Sequence, residues 1–266
     1  MSAKRSARRA SGVSVALRLK LDLAASENDK AARAFWGHPQ LAELIPDYLF
    51  LIHSIIRASV PLMEAARDRA ALLAKNDSVA ASLTEYLGQH VNEERHHDDW
   101  LLDDIGELGI SPQAVWSRMP SPIVASLVGS QYYWIYHHHP VALLGYIAVL
   151  EGNPPVESQV AEVIERTRLP ERAFRTFVKH ARLDPHHRDD LNSALDAMPL
   201  TGEQETIIAM SALETQHLLA LSLRELVKDH SHESTRLPNR GSRALHGKPT
   251  SRTSRAKRGS LRIGAH

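Results

Sequence analysis

Apolar residues recur every three to four positions over most of the chain, and no stretch alternates with period two for long enough to argue a sheet. The pattern predicts an all-α protein: a single helical bundle of roughly eight helices, with no internal repeat. From Pro39 to Lys75 runs a long apolar pattern holding Pro46 and Pro61, which should start a helix and then bend or break it. Asp77 is placed to cap the next helix, which should run to Gly109, a residue suited to a left-handed C-terminal turn. Ser111-Pro112 opens a short helix, residues 122–137 form another, and His139-Pro140 leads into one that ends at Glu151-Gly152-Asn153-Pro154-Pro155. A further helical pattern covers Glu171 to Met198. Thr201-Gly202-Glu203-Gln204 matches a capping box and begins the last long helix, ending near His230.

Three of these helices interrupt their own apolar stripe with histidines and carboxylates. Residues at i, i+3, i+4 and i+7 share one helix face. Between Asp77 and Leu108 the stripe is Leu83, Leu87, Val91, Leu101, Ile105 and Leu108. Glu94 falls inside it and His97 at its edge, Asp98 also lies within it, and Glu93 and His96 point away to a solvated face. Between Glu171 and Met198, the residues Ala173, Phe177, His180, Asp184, His187, Leu191 and Met198 share a narrow arc. Glu151 lies one turn beyond Ile147 and two beyond Leu144 on the same face, so it too leaves an apolar stripe to reach inward, the alternative being a solvated carboxylate at the helix end. Burying an unpaired carboxylate costs several kcal/mol, so such groups stay inside when paired or bound to metal. A lone core histidine is ordinarily satisfied by a backbone carbonyl, and an isolated Glu-x-x-His is a commonplace surface pair. Two such constellations and a third acid together point to a metal site. The run His137-His138-His139 does not, because successive residues on a helix diverge; these read as loop and helix-start residues.

The chain has no cysteine, which excludes disulfides, thiolate catalysis and iron–sulfur clusters. Mixed carboxylate and imidazole donors without sulfur suit iron or manganese better than structural zinc. Six donors, three of them carboxylates able to bridge, suffice for two ions in a helical bundle. Charge is uneven. Residues 1–12 hold four basic and no acidic side chains and residues 231–266 nine basic and one acidic, leaving 19 basic against 30 acidic in residues 13–230. The expected organisation is thus a helical domain at 13–230 between disordered basic tails at 1–12 and 231–266. Basic tails of this kind bind anionic surfaces or nucleic acid, or serve as solubilising extensions; no aromatic residue interleaves their charges. No run of about 18 uncharged apolar residues argues a membrane span, and the N-terminus lacks a signal-peptide core, so the expected location is cytoplasmic.

The stretch Glu93-Glu94-Arg95-His96-His97-Asp98-Asp99-Trp100-Leu101-Leu102-Asp103-Asp104, followed by Leu108-Gly109, resembles the first ligand helix of the haem-oxygenase-like, iron-containing redox enzymes, the haem-oxygenase-like diiron oxidases and oxygenases. The stretch from His139-Pro140-Val141 through Leu150-Glu151-Gly152 is similar to the central ligand helix, and His180-x3-Asp184-x2-His187 to the third. The resemblance covers about residues 25–228. It implies a haem-oxygenase-like bundle in which Glu94, His97, Glu151, His180, Asp184 and His187 ligate two Fe(II) ions per chain, with Glu151 bridging and O2 as co-substrate. Asp98, Asp103 and Asp104 would support the ligands from behind. Such enzymes oxidise amines, amino acids or fatty acids, by N-oxygenation, desaturation or carbon–carbon cleavage. Two departures bear on this: His96 stands where a small residue is expected, and Pro185 directly after Asp184 argues for a bend or a fresh helix start, in which Asp184 would be a cap.

The expected function is oxidation of a small amine, amino-acid-like or fatty-acid-like substrate by a non-haem diiron oxygenase or oxidase. The alternatives are the same fold binding haem or an organic molecule without metal, with His53 or His97 as axial ligand or base, or a non-enzymatic iron-binding protein. Tyr48, Tyr132, Tyr133, Trp134 and Tyr146 are candidate pocket walls. A homodimer stays open as a partner.

Overall fold

Side-chain caps set many of the helix starts. In the computed structural model, which describes residues 12–236 except Asn153, Asp77 accepts from the amides of Val79 (2.8 Å) and Ala80 (3.0 Å), as its position predicts. Further on, Ser111 and Ser121 cap the helices that begin at Pro112 and Pro122, each with proline in the first turn. At the last helix Thr201 and Gln204 exchange bonds in both directions, Gln204 Oε1 accepting from Thr201 N (3.0 Å) and Thr201 Oγ1 from Gln204 N (3.2 Å). Gly109 is left-handed, at φ +79°, in the turn that follows the helix ending at Gly106.

The described residues form eleven α-helices and no strand: α1 Val13–Ala24, α2 Ser26–Trp36, α3 Leu41–Leu73, α4 Ser78–Glu94, α5 His97–Gly106, α6 Pro112–Ser117, α7 Pro122–His137, α8 Leu143–Leu150, α9 Glu157–Thr167, α10 Arg175–Ala197 and α11 Gly202–Arg236. Short 3-10 turns at Pro140–Ala142 and Glu171–Phe174 lead into α8 and α10. Of the two basic tails, residues 1–11 and 237–266 lie outside the described residues, and α11 continues to Arg236, beyond the expected end near His230.

Two expectations are corrected. Neither Pro46 nor Pro61 breaks the long helix; both lie inside α3. Each removes one backbone hydrogen bond, at about 3 kcal/mol. Against this, Leu44, Ile45, Leu49, Ile55, Leu62 and Met63 are each no more than 2% exposed, and burying such side chains contributes about 1.5–3 kcal/mol apiece. Packing outweighs the prolines. Conversely, the helix expected to run unbroken from Asp77 to Gly109 is two helices, α4 and α5, with Arg95 and His96 between them.

Two apolar clusters fill the bundle. One joins α1, the C-terminal half of α3, α4, α7, α8, the end of α10 and α11; the other joins α2, the N-terminal half of α3, α5, α6 and α9. Helix α3 contributes to both. Both α3 and α11 contain windows long and apolar enough to cross a membrane by length and composition, each half buried inside the bundle as expected of core helices.

Candidate metal centre

The break between α4 and α5 builds one corner of the site. Arg95 is extended and His96 is left-handed at φ 71°, ψ 10°. On one continuous helix His97 falls only at the edge of the buried stripe. The turn at His96 instead buries both Glu94 and His97, whose side chains are 8% and 3% exposed, while His96 is 76% exposed. The left-handed geometry explains why a small residue was expected at 96: glycine adopts it freely, and histidine is among the few other residues that tolerate it. Trp100, one turn into α5, stacks on the His97 ring at 4.1 Å.

Helix α8 supplies the second corner. Gly145 seats it against α11 so closely that a Cβ at 145 would collide with the backbone of Ile208 and Ala212. At its end Glu151 turns inward rather than to solvent: its side chain is 13% exposed and its Oε1 lies 2.9 Å from His90 Nε2.

Helix α10 supplies the rest. It runs unbroken through Pro185, so Asp184 is not the cap of a new helix. Asp184 Oδ1 accepts from His180 Nδ1 at 2.8 Å, and both Asp184 and His187 are buried. The start of α10 is held from α5 by Asp104, which accepts from Thr176 N at 2.7 Å and Arg175 Nε at 3.3 Å. The buried Asp104 therefore anchors a helix end instead of backing the histidines; Asp103 is exposed and Asp98 half-buried.

The structure brings all six expected residues into one linked cluster. Glu94 Oε2 lies 2.9 Å from His97 Nδ1 and Glu94 Oε1 3.2 Å from His187 Nδ1. The rings of His97 and His180 meet edge to face at 5.0 Å. Donor atoms of His90, Glu151 and His187 lie within 4.8 Å of one another. Beyond these mutual contacts, Glu94 Oε1, His97 Nδ1, Glu151 Oε2, His180 Nε2 and His187 Nδ1 are all buried with no hydrogen-bond partner. Such orphans each cost about 1–3 kcal/mol, more when charged. Two donors bound at right angles to one ion at about 2.1 Å lie about 3 Å apart with no hydrogen between them, close to the Glu94–His97 and Glu94–His187 spacings. These residues fit a bound cation.

Electrostatics agree. Burial opposes ionisation of Glu94, yet the imidazoles of His187 and His97 hold its carboxyl well below the usual carboxylate range. Burial raises Glu151. Burial also disfavours charge on His90, but the hydrogen bond and charge of Glu151, with Glu94 and Glu93, push it up to about 9. His180 is raised against burial by Asp184, and His187 by Glu94. Without a cation, protons take the place of positive charge here.

Two residues escaped the sequence reading. His90, 2% exposed, lies one turn before Glu94 on the same face and three residues after Leu87, so the periodicity argument already contained it. Glu93, assigned to the solvated face, is 49% exposed, yet its Oε2 stands 3.5 Å from His90 Nδ1 and 3.8 Å from His187 Nε2. A carboxylate touching two rings from outside leaves no periodic signal.

The cluster opens onto a cavity of about 920 Å³, walled mainly by apolar side chains of α3, α8, α9 and α10, among them Ile52, Ile56, Met63, Val163 and Phe177. Glu94, Glu151, His180 and Asp184 line it, and exposed Gln159, Glu162 and Arg166 form part of its rim. Tyr48 and Tyr146 line it as expected; Tyr132, Tyr133, Trp134 and His53 do not. Of the histidine run, His139 caps the turn at Val141 and pairs with Asp77 at 3.1 Å, remote from this cluster in role.

No curated protein matches the chain. Among solved structures it is similar to a domain of unknown function with a haem-oxygenase-like fold from Shewanella denitrificans, at TM-score 0.66 and 18% identity, covering 86% of this chain and 95% of that one. A CADD-like protein of unknown function from Nostoc punctiforme gives TM-score 0.61 and 17% identity, covering 82% and 96%. A TenA homologue from Pseudomonas syringae gives 0.59 and 11%, covering 79% and 93%. These likenesses establish the haem-oxygenase-like fold. The sequence pattern of one family matches residues 46–219, a span that holds the whole cluster, and the chain thereby belongs to the iron-containing redox enzymes.

Proposed function

We propose that this protein is a non-haem diiron oxidase or oxygenase, using O2 to oxidise a small amine, amino-acid-like or fatty-acid-like substrate in the cytoplasm. In this reading Glu94, His97, Glu151, His180, Asp184 and His187 hold two ferrous ions per chain. The observation that carries it is the set of five buried donor atoms, drawn from five of these six residues, that have no hydrogen-bond partner outside the cluster. A haem reading has less support, because Glu94, Glu151 and Asp184 line the same cavity, with Glu162 at its rim, and His53 does not reach it.

Bound iron would supply the reduction of dioxygen and the oxidising equivalents. The protein's own residues do the rest. Asp184 keeps the proton on His180 Nδ1, which leaves the Nε2 lone pair free and fixes the ring. Trp100 fixes His97 by stacking. Ile52, Ile55, Ile56, Met63 and Phe177 exclude water and receive the apolar part of a substrate. The hydroxyl of Tyr146, 3.1 Å from Ser59 Oγ, is the nearest lining phenol to Glu151 along the chain.

Anaerobic titration with ferrous iron, followed by oxygen exposure with optical and Mössbauer spectra, tests this on wild type and Glu151→Ala. The expected result is near two irons per chain and an oxygen-dependent transient lost in the variant. No iron above background, or haem bound instead, would overturn it.

A further inference from the structure

We infer that His90 is a seventh metal-binding side chain, which together with Glu151 and His187 holds one ion, and that Glu93 orients both imidazoles from outside. This rests on the metal reading above.

A ligating histidine is held at both ring nitrogens. One ring nitrogen faces the ion and the other is gripped by a carboxylate or carbonyl. His180 shows that arrangement: Nδ1 is held by Asp184 and Nε2 is buried and free. His187 has the same disposition more loosely, with Nδ1 inward beside Glu94 Oε1 at 3.2 Å and Nε2 in ion-pair range of Glu93 Oε2 at 3.8 Å. His90 stands to Glu93 as His187 does. Its Nδ1 lies 3.5 Å from the same Oε2, and its Nε2 faces inward, 2.9 Å from Glu151 Oε1. The two rings meet edge to face at 5.2 Å, and a donor atom of each lies within 4.8 Å of a Glu151 oxygen. Tyr86 stacks on the outer face of His90 at 5.4 Å and 18°, removing ring rotation.

Were His90 only a hydrogen-bond donor to Glu151, it would satisfy Oε1 and leave Oε2 buried and unpartnered. An ion beside Glu151 accounts for both oxygens and both rings. Donors on opposite sides of an ion at about 2.1 Å are about 4.2 Å apart, so the trio, within 4.8 Å, needs to close by less than about 1 Å. The ion beside Glu151 then takes His90 and His187, with Glu93 outside both rings, and Glu94, His97, His180 and Asp184 remain for the other.

The test counts imidazoles directly. In wild type loaded with Co(II), the expected proton spectrum contains four exchangeable, paramagnetically shifted imidazole N–H signals, from His90, His97, His180 and His187. In His90→Gln, which still donates a hydrogen bond to Glu151, one signal disappears and the second ferrous equivalent binds at least about 100-fold more weakly. In Glu93→Gln that equivalent weakens by about 10–100-fold, the usual effect of losing an outer carboxylate. Three signals in wild type, with unchanged two-iron binding in His90→Gln, would overturn the inference and leave the diiron reading intact. No metal on wild type would overturn both.

Discussion

His96 is a surface residue with an interior consequence. Its side chain is exposed and paired only with Asp99, but its left-handed backbone is what buries Glu94 and His97 together. A β-branched residue resists that conformation, so His96→Val is expected to lose about 1–2 kcal/mol of stability and to loosen iron, although it removes no contact with the cluster. Urea denaturation checks the first and ferrous titration the second; an unchanged midpoint would deny the turn its role. At this scale the sequence spoke unevenly. The angular argument found Glu94 and His97 by assuming a continuous helix, which the structure does not have. It worked because the apolar stripe resumes in the same phase at Leu101 and Ile105. The same argument contained His90 and passed over it, since a histidine beside apolar neighbours looks like an ordinary core residue until its partner Glu151, 61 positions away, is known.

Among the elements, α8 is short and consists almost wholly of buried residues, and its seat on α11 depends on one missing side chain. Gly145→Ala is expected to force α8 outward, costing about 1–3 kcal/mol and displacing Glu151 two turns further on. Iron retention in that variant should fall by more than its loss of stability alone explains; equal iron binding at reduced stability would show that Glu151 is positioned independently of α8. Caps and turns were legible because they are local: Asp77, Ser111, Thr201 and Gly109 each act within four residues of themselves. The prolines were misread for the opposite reason. Whether Pro46, Pro61 and Pro185 break a helix depends on what packs around it, and the apolar burial along α3 is a property of distant segments.

Over the whole molecule, charge balance at the cluster ties stability to pH. His90, raised to about 9, and His180, His187 and Glu151, also raised, contribute stability to the metal-free protein that is complete below their unfolded values and is lost as pH rises through the folded ones. Glu94, depressed, contributes stability present above its unfolded value and lost as pH falls through its folded one. The metal-free protein should therefore be most stable in mildly acid solution. Iron must displace the imidazole protons, so its affinity rises with pH. The gap in melting temperature between iron-loaded and metal-free protein should widen from about pH 6 to about pH 9, as ligand linkage requires. Paired thermal scans under anaerobic conditions read this directly, and a gap independent of pH would remove these histidines from the metal's competition with protons.

The seat of α8 on α11 also sets an order in time. Helices α4, α5, α8 and α10 contribute the cluster, yet α8 rests on Ile208 and Ala212, which belong to the last described helix. A ribosome that has made every residue of the cluster has still not made the surface that places Glu151. Iron capture at this cluster, as proposed, would thus wait for α11, and a chain that holds iron there would already have packed α8.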